Sequence, residues 1–446
     1  MIAPRARDTQ ADDALAYEAI DLALRVGEAT LAVGMSAAST TATVLRIAAI
    51  YGLTSCQAEV TFTSITLSVF RDDGEPVTAS RLVKVRSTDY TRMAELHELI
   101  SAISPEITPS EALERLDSVL AEPHPYRRWI VTFALAGMAG AVAGLLGGGL
   151  LVALLAAVTT GAIDRLLRVL NRWALPLFFQ QVAGAGLAAG VAVALYAVEP
   201  SIGLGREALQ PSLVVAAGLT VLLAGLAFVG SAEDAIAGFY LTASARAFEV
   251  AMLTVGILTG LVGLLSLGVG LDVEPNLVDE AVGRGNSLPL VLQALLAAVI
   301  AGCFAIASYA RPSAVLVVAA FALATYCVFA AFRQLGVDAV AASACSALAL
   351  GLLAEIAGSR TAIPPLVITS SGITPLLPGL ALYSAVGELV SENQQIEGLA
   401  GLVDAAAIAL ALAGGVALGS FIGSPLSAEY DRFDRRVRRK ARSPRD

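Results

Sequence analysis

The most constraining feature of this chain is a long run of apolar stretches, beginning at Trp129, that are each long enough to cross a lipid bilayer. A hydrocarbon layer of about 30 Å requires roughly 20 apolar residues per helix, and the lack of water there forces each span to satisfy its own backbone hydrogen bonds. With 57% hydrophobic and 15% charged residues, the chain is too apolar for a soluble globular protein of 446 residues. We therefore predict a polytopic α-helical membrane protein with a soluble N-terminal domain.

Ten spans are predicted from the lengths and spacing of the apolar stretches. They cover residues 129–146, 150–170, 175–198, 213–229, 250–271, 288–307, 313–332, 337–357, 366–386 and 399–422. The first 125 residues have an ordinary soluble composition. The predicted parts are a cytosolic α+β head at 1–125, five-helix membrane repeats at 126–275 and 276–425, and a basic cytosolic tail at 426–446.

The distribution of arginine predicts the orientation of these spans, because lysine and arginine are retained on the cytoplasmic side. Loops on the side of the head carry Arg127, Arg128, Arg165, Arg168, Arg172, Arg246, Arg311 and Arg360, whereas the opposite loops carry Arg206, Arg284 and Arg333. Residues 1–19 lack the apolar core of a secretory signal. We expect a multi-pass plasma-membrane protein with both termini in the cytoplasm. Its basic tail is expected to bind anionic lipids, with no nucleic-acid partner.

The two halves of the membrane region contain a weak internal repeat. Residues 237–249, which begin Ala-Gly-Phe-Tyr-Leu, resemble residues 378–390, which begin Pro-Gly-Leu-Ala-Leu. A direct repeat with an odd number of spans enters the membrane from opposite sides, so we predict a five-plus-five inverted repeat. Because Ala237 stands where the second half has Pro378, the first half is expected to lack a matching helix break.

The polar segment at 363–379, in the ninth predicted span, is the strongest candidate for a substrate site. Pro375 and Pro378 lack the N–H groups that a continuous helix needs. Broken helices expose half-helix termini and free carbonyls, which can hold the carboxylate and ammonium groups of an amino acid. The alternative is a kinked helix whose hydroxyls bond back to their own turn. The candidate substrate-binding residues are Ser370, Ser371, Gly372, Thr374, Gly379, Tyr383, Gly238, Gln180 and Gln181.

Three carboxylates are candidates for proton coupling, because charge at membrane depth marks pathways more often than packing. Asp234 follows Glu233 after the fourth predicted span, and Glu388 ends the ninth. Asp164 lies beside Arg165 near the inner end of the second. The competing interpretations are a solvated loop for Asp234 and an interfacial residue without a role for Glu388.

Sequence periodicity predicts a small α+β domain in the head. Helices are predicted at 12–51, divided at Gly34, and at 90–103 and 111–120, with strands at 57–70 and 80–86. The first helix is expected to bury one face, formed by Leu15, Ala19, Leu22, Val26, Ala29 and Val33. A turn is predicted between the strands at Asp72, Asp73 and Gly74.

The head lacks the residue pattern of a hydrolase, so no enzyme activity is expected. Ser36 follows Gly34 without the second glycine of a nucleophile elbow, and no strand precedes it. His97 and His124 have no acid at an informative spacing. No disulfide, metal site or cofactor is expected, because the cysteines show no CxxC spacing. These cysteines are Cys56, Cys303, Cys327 and Cys345.

Several stretches resemble the threonine/serine exporter family. They are residues 23–40 and 50–53 of the head, the Thr-Pro-Ser-Glu-Ala stretch at 108–112 and the fused five-plus-five spans. The resemblance covers nearly the whole chain. It implies a cytosolic domain fused to a ten-helix secondary exporter that expels small hydroxy amino acids and is driven by the proton gradient. The expected partners are a small amino acid, protons and membrane lipids, and the sequence is compatible with a homo-oligomer without determining one.

Other functions stay open at this point. Two-component relatives are associated with export of dicarboxylates such as succinate, but a dicarboxylate site would need buried cations. The spans offer few, since Arg165 and Arg333 lie near span ends, and this favours a zwitterionic substrate. A membrane-anchored hydrolase acting through Ser36 would need far fewer helices. A membrane sensor whose head binds a partner is a third possibility.

Overall fold

The computed structural model describes residues 5–70, 76–84, 88–202, 209–222, 225–269, 288–358, 360–361, 363–390 and 394–442. Within these residues, eight helices are long and apolar enough to span a membrane. The chain divides into two compact units. The head unit is Met1–Pro125 together with Glu233–Arg246, and the membrane unit is Tyr126–Ala232 together with Ala247–Asp446.

The head consists of helices flanking a small sheet, which confirms the predicted α+β class. Its elements are α1 (Arg5–Ala32), α2 (Ala37–Ile50), β1 (Cys56–Val60), β2 (Ser64–Phe70), β3 (Pro76–Leu82), α3 (Tyr90–Ala102) and α4 (Pro109–Ala121). Ser36, Asp89 and Thr108 are the N-caps of α2, α3 and α4, and each accepts a hydrogen bond from the backbone N–H three residues later. These caps explain where the helices begin.

The sheet is antiparallel with the order β1-β2-β3. The prediction of a single strand at 57–70 was wrong, because a tight turn after Val60 pairs that residue with Ile65. The Thr61 N–H donates to the Ser64 carbonyl oxygen at 2.8 Å and closes the turn. The predicted turn at 72–74 lies outside the described residues.

One face of α1 forms much of the head core. Its predicted apolar face is buried from Ala19 to Val33, whereas Leu15 is 43% exposed. β2 contacts α1 and buries Ile65, Leu67 and Val69 on a single face. The alternation of buried and partly buried residues along β2 is typical of a strand with one face on the core.

The membrane region consists of helices. They are α5 (Arg128–Leu145), α6 (Leu150–Arg172), α7 (Leu177–Ile202), α8 (Pro211–Thr220), α9 (Gly225–Ile236), α10 (Tyr240–Val269), α11 (Leu290–Ala307), α12 (Pro312–Gln334), α13 (Ala339–Gly358), α14 (Pro365–Gly372), a 3-10 turn (Thr374–Leu376), α15 (Gly379–Val390) and α16 (Gln395–Arg442). The eight candidate spans are α5, α6, α7, α10, α11, α12, α13 and α16. The fourth and ninth predicted spans are absent from this set because each is divided into two shorter helices.

Glycines allow the closest helix packing in the membrane unit. A Cβ atom on Gly419 of α16 would overlap the carbonyl oxygen of Leu348 in α13, and Gly260 of α10 approaches the carbonyl of Val182 in α7 in the same way. Small residues let helix backbones touch and gain van der Waals contact where lipid provides no hydrophobic driving force.

Candidate functional site

The ninth predicted span is interrupted where the sequence predicted a break. α14 ends at Gly372, the 3-10 turn follows, and α15 begins at Gly379. Pro375 and Pro378 lie between the two helices, where their missing N–H groups cost no helical hydrogen bond. The predicted helix break is confirmed.

The fourth predicted span is interrupted as well, which corrects the expectation that the first half lacks a break. α8 ends at Thr220, a turn follows at Val221 and Leu222, and α9 begins at Gly225. The sequence between α8 and α9 contains no proline. Local residue chemistry therefore gives no signal for this interruption.

The two interrupted spans match each other without a gap. Residues 211–236 and 365–390 share 8 identities among 26 positions. Each stretch begins its first helix with proline and its second with Gly-Leu-Ala, and each has glycine eighth and threonine tenth. This match aligns helix boundaries as well as residues. The sequence-based match of residues 237–249 with residues 378–390 does not align helix boundaries.

Gly238 was predicted to bind substrate, but it lies at an exposed helix end. Its φ of 88° is in the left-handed region, and it is exposed in the head unit. Its N–H donates to the Ala235 carbonyl at 3.1 Å, and the Phe239 N–H donates to the Asp234 carbonyl at 2.8 Å. This is the pattern of a glycine that ends a helix, so Gly238 is explained by termination of α9.

Helices of the membrane unit surround both interruptions. α8 packs against α5, α6 and α7, whereas α14 and the 3-10 turn pack against α11 and α12. α8 also contacts α15, so the two interrupted spans touch. Near the end of α9, Ala232 is buried in one cluster with Ile373 and Leu376 of the other interruption.

The hydroxyls of α14 and the 3-10 turn differ in whether they have a hydrogen-bond partner. Ser370 Oγ donates to the Leu366 carbonyl oxygen at 2.6 Å, and Thr374 Oγ1 donates to the Ser370 carbonyl oxygen at 3.1 Å. Ser371 is 0% exposed, and its Oγ has no hydrogen-bond partner among the described residues. A buried hydroxyl left in this state costs about 1–3 kcal/mol, so it indicates a place for a ligand or a water molecule.

A second unsatisfied hydroxyl lies beside the first-half interruption, and the sequence interpretation missed it. Thr160 of α6 is 0% exposed, and its Oγ1 has no hydrogen-bond partner among the described residues. A Cβ atom on Gly218 of α8 would lie 3.9 Å from that oxygen. Gly218 and Gly372 are matched positions, so each interruption has a buried, unsatisfied hydroxyl close to its glycine.

The two glutamines of α7 behave differently. Gln180 is 7% exposed, and its Nε2 donates to the Leu175 carbonyl oxygen at 2.7 Å, which fixes the start of α7. Gln181 Oε1 is buried without a hydrogen-bond partner among the described residues. A Cβ atom on Gly256 of α10 would lie 3.2 Å from Gln181 Cβ, and the unpartnered amide oxygen makes Gln181 the better candidate of the two for a ligand contact.

Asp164 pairs with Arg168, four residues further along α6. Arg168 Nε lies 3.3 Å from Asp164 Oδ1, and the same guanidinium also contacts Thr132 of α5. Residues four apart share a helix face, whereas adjacent residues do not. Arg165 is exposed.

Asp234 lies in the head unit and is 0% exposed. Its Oδ1 accepts a hydrogen bond from the backbone N–H of Ala37, the first residue of α2, at 3.0 Å. Its Oδ2 is 3.2 Å from Nε of Arg246, whose side chain is 13% exposed. The predicted proton-coupling residue is thus part of a buried ion pair, and the alternative of a solvated loop is wrong.

Further bonds join the α9–α10 connection to the rest of the head unit. Thr242 Oγ1 donates to the Val60 carbonyl oxygen at 3.1 Å, and the Arg246 guanidinium donates to the Met35 carbonyl oxygen at 3.4 Å. Burial, reinforced by the Asp234 carboxylate, raises the pKa of Glu233 to about 7, although Arg246 lowers it. Glu233 is the first residue of the second segment of the head unit and is not part of the membrane unit.

Glu388 of α15 is partly buried beside α16. A Cβ atom on Gly401 would lie 3.7 Å from Glu388 Oε2. The side chain of Tyr383, another predicted substrate-binding residue, lies outside the described residues.

The head residues that could have supported hydrolysis are engaged elsewhere. Ser36 Oγ accepts the N–H of Ser39 at 3.2 Å as a helix cap. His124 Nδ1 lies 2.8 Å from Asp89 Oδ2. In the part of the chain that the structure describes, neither histidine is bonded to Ser36.

Two family models match the chain. The model of the ThrE family, described as "Putative threonine/serine exporter", matches residues 21–268, and a second model, described as "Threonine/Serine exporter, ThrE", matches residues 293–422. The chain belongs to the threonine/serine exporter family. It is accordingly a multi-pass membrane transporter and not an enzyme.

Two relatives are similar over most of their length. A protein of Mycobacterium tuberculosis (strain ATCC 25618 / H37Rv) named "Probable threonine/serine exporter" is 40% identical over 421 residues, which cover 93% of this chain and 78% of that protein. The "Threonine/serine exporter" of Corynebacterium glutamicum is 33% identical over 418 residues, which cover 91% of this chain and 83% of that protein. No solved structure matches the chain.

Proposed function

We propose that this protein is a secondary exporter of threonine and serine, driven by the proton gradient across the plasma membrane. Its relatives carry the name of threonine/serine exporter. Ten spans, counting each interrupted pair as one, would form a five-plus-five inverted repeat with both termini in the cytoplasm. The two halves would give alternating access to a site between them.

The pair of matched interruptions, each with a buried unsatisfied hydroxyl, is the observation that carries this proposal. The C-terminal end of α14 offers carbonyl oxygens to an ammonium group, and the N-terminal end of α15 favours a carboxylate. Ser371 would bond the substrate hydroxyl. A site built around such a bond rejects analogues that lack the hydroxyl, since a buried group would then stay unpaired.

The ion pairs of the two least exposed arginines described above favour a zwitterion over a dicarboxylate. Arg168 and Arg246, whose side chains are 19% and 13% exposed, are ion-paired with Asp164 and Asp234. A substrate with two carboxylates would need cations that are not already neutralised. An amino acid carries its own counter-charge and can be held by helix termini and hydroxyls.

An export assay with matched serine variants tests the proposal. Cells without other threonine exporters are loaded with a threonine-containing dipeptide, and intracellular threonine and succinate are followed. Deleting the protein should raise threonine and leave succinate unchanged. Ser371→Ala should raise the half-saturation concentration for threonine about 2- to 10-fold, because one buried hydrogen bond is lost.

Ser370→Ala is the control, because that hydroxyl is bonded to its own helix. It should leave transport close to wild type. Threonine accumulation that does not respond to deletion would contradict the proposed function. Equal effects of the two serine variants would contradict the assignment of Ser371.

A further inference from the structure

The two interrupted spans place a carboxylate at the same point of the repeat. α9 and α15 each contain 12 residues. Asp234 is the tenth residue of α9, and Glu388 is the tenth residue of α15. These are also matched positions in the alignment of the two stretches. The shared position makes the surroundings of the two carboxylates directly comparable.

The residue that faces each carboxylate comes from the following helix and differs between the halves. Arg246 is the seventh residue of α10, and its Nε lies 3.2 Å from Asp234. Gly401 is the seventh residue of α16, and a Cβ atom there would lie 3.7 Å from Glu388 Oε2. Glycine in the second half thus occupies the position that a cation occupies in the first.

Among the described residues, Glu388 has neither an ion pair nor a hydrogen bond. α15 packs against α8 and α16. α8 contains no charged residue. On α16, the charged residues nearest to Gly401 are Glu397 and Asp404, and both are exposed. No described cation therefore lies beside Glu388.

The presence or absence of a cation decides whether a carboxyl group at such a site can exchange a proton. A carboxylate beside arginine stays ionised, and removing that arginine favours the protonated form. Asp234 and Asp164 both have arginine partners. Glu388, a partly buried carboxyl near the C-terminal end of α15, has no such partner among the described residues.

We propose that Glu388 is the group that binds and releases the coupled proton, and that Gly401 keeps it free of a cation; this inference rests on the proposed function. Glu388 takes a proton from the outer solution in the outward-facing state and gives it to the cytoplasm in the inward-facing state. Only its O–H bond forms and breaks. One amino acid moves outward while the proton moves inward.

Transport by the full-length protein in liposomes separates coupling from substrate binding. Threonine counterflow without a pH gradient measures binding and exchange, and threonine accumulation driven by a pH gradient measures coupling. Glu388→Gln should keep counterflow and lose gradient-driven accumulation to the level of protein-free liposomes. Its counterflow should also become independent of pH. Glu397→Gln, an exposed carboxylate on the adjacent helix, should behave as wild type in both assays.

A second measurement covers the case in which Glu388→Gln does not fold. A hydrophobic carbodiimide, which reacts with protonated carboxyl groups, should label Glu388 in the wild-type protein, and threonine should reduce the labelling. Absence of label on Glu388, or gradient-driven accumulation that persists in Glu388→Gln, would overturn the inference. Wild-type protein that shows no threonine or serine counterflow would instead overturn the proposed function.

Discussion

The two interrupted spans have the same arrangement of two short helices, but their polar residues have different partners. In the first half, Asp234 is bonded to Ala37 of the head and ion-paired with Arg246. In the second half, Glu388 faces Gly401, and Ser371 is buried without a described hydrogen-bond partner. Paired polar groups fix one geometry, whereas unpaired ones are costly unless a ligand completes them. The comparison therefore predicts that the carboxylate of the first half is held in place by its partners and that the carboxylate of the second half is not.

The largest expected effect comes from removing the ion pair of the first half. Asp234→Ala leaves Arg246 buried without its carboxylate and should cost about 3–5 kcal/mol of stability. Glu388→Ala, at the matched position, should change stability by only about 0.5 kcal/mol, because no described ion pair or hydrogen bond is lost. Thermal unfolding of the purified protein in detergent measures both. Equal losses in the two variants would break the comparison.

An intermediate effect is expected at the matched glycines. A Cβ atom on Gly372 would lie 2.8 Å from Cδ2 of Leu350, a side chain that is 1% exposed and cannot easily move. Gly372→Ala should therefore cost about 1–3 kcal/mol through overpacking. Gly218→Ala meets its nearest neighbour, Ile163, at 3.7 Å, which is an ordinary contact. The same unfolding assay should show little change for Gly218→Ala, and a large loss there would contradict the observed spacing.

A pH-dependent effect is expected at the first-half carboxyl pair, Glu233 and Asp234. Burial and Asp234 raise the pKa of Glu233 from 4.5 to about 7. A carboxyl whose pKa is higher in the folded than in the unfolded protein stabilises the fold most below pH 4.5. This stabilisation decreases as the pH rises to about 7, and it is constant above that value. Glu233→Gln does not titrate, so its stability relative to wild type should rise across this window.

Unfolding temperatures of the Glu233→Gln variant and of the wild type, measured across that range and above it, check this expectation. The difference between the two proteins should level off at higher pH. A difference in unfolding temperature that does not vary with pH would show that folding does not raise the pKa of Glu233.

The sequence predicted those features that depend on local chemistry. Pro375 and Pro378 lack backbone N–H groups, and this property was enough to predict the break of the ninth span. The last head helix was predicted from Glu111, two residues after the observed start at Pro109, which follows the Thr108 cap. The apolar length of the eight long helices followed from the same kind of reasoning, whereas the count of ten spans stays a prediction.

The features that were missed depend on contacts between distant residues. Val221 and Ala224 stand where the second half has prolines, so only packing reveals the break of the fourth span. The partners of Asp234 lie 12 and 197 positions away along the chain, at Arg246 and Ala37. The prediction of one long strand failed because the alternation from Val60 to Ile65 shifts phase at a turn.

The inclusion of Glu233–Arg246 in the head unit has a bearing on how the chain is made. The ribosome delivers the first 125 residues long before this segment, and at a synthesis rate of about 5–20 residues per second the delay is about 5–20 seconds. During that interval, the N–H of Ala37 and the carbonyl of Val60 lack the hydrogen bonds that they later form with Asp234 and Thr242. The head unit can therefore be completed only after residues 126–232 have been synthesised, and until then the nascent chain exposes an unfinished unit to proteases.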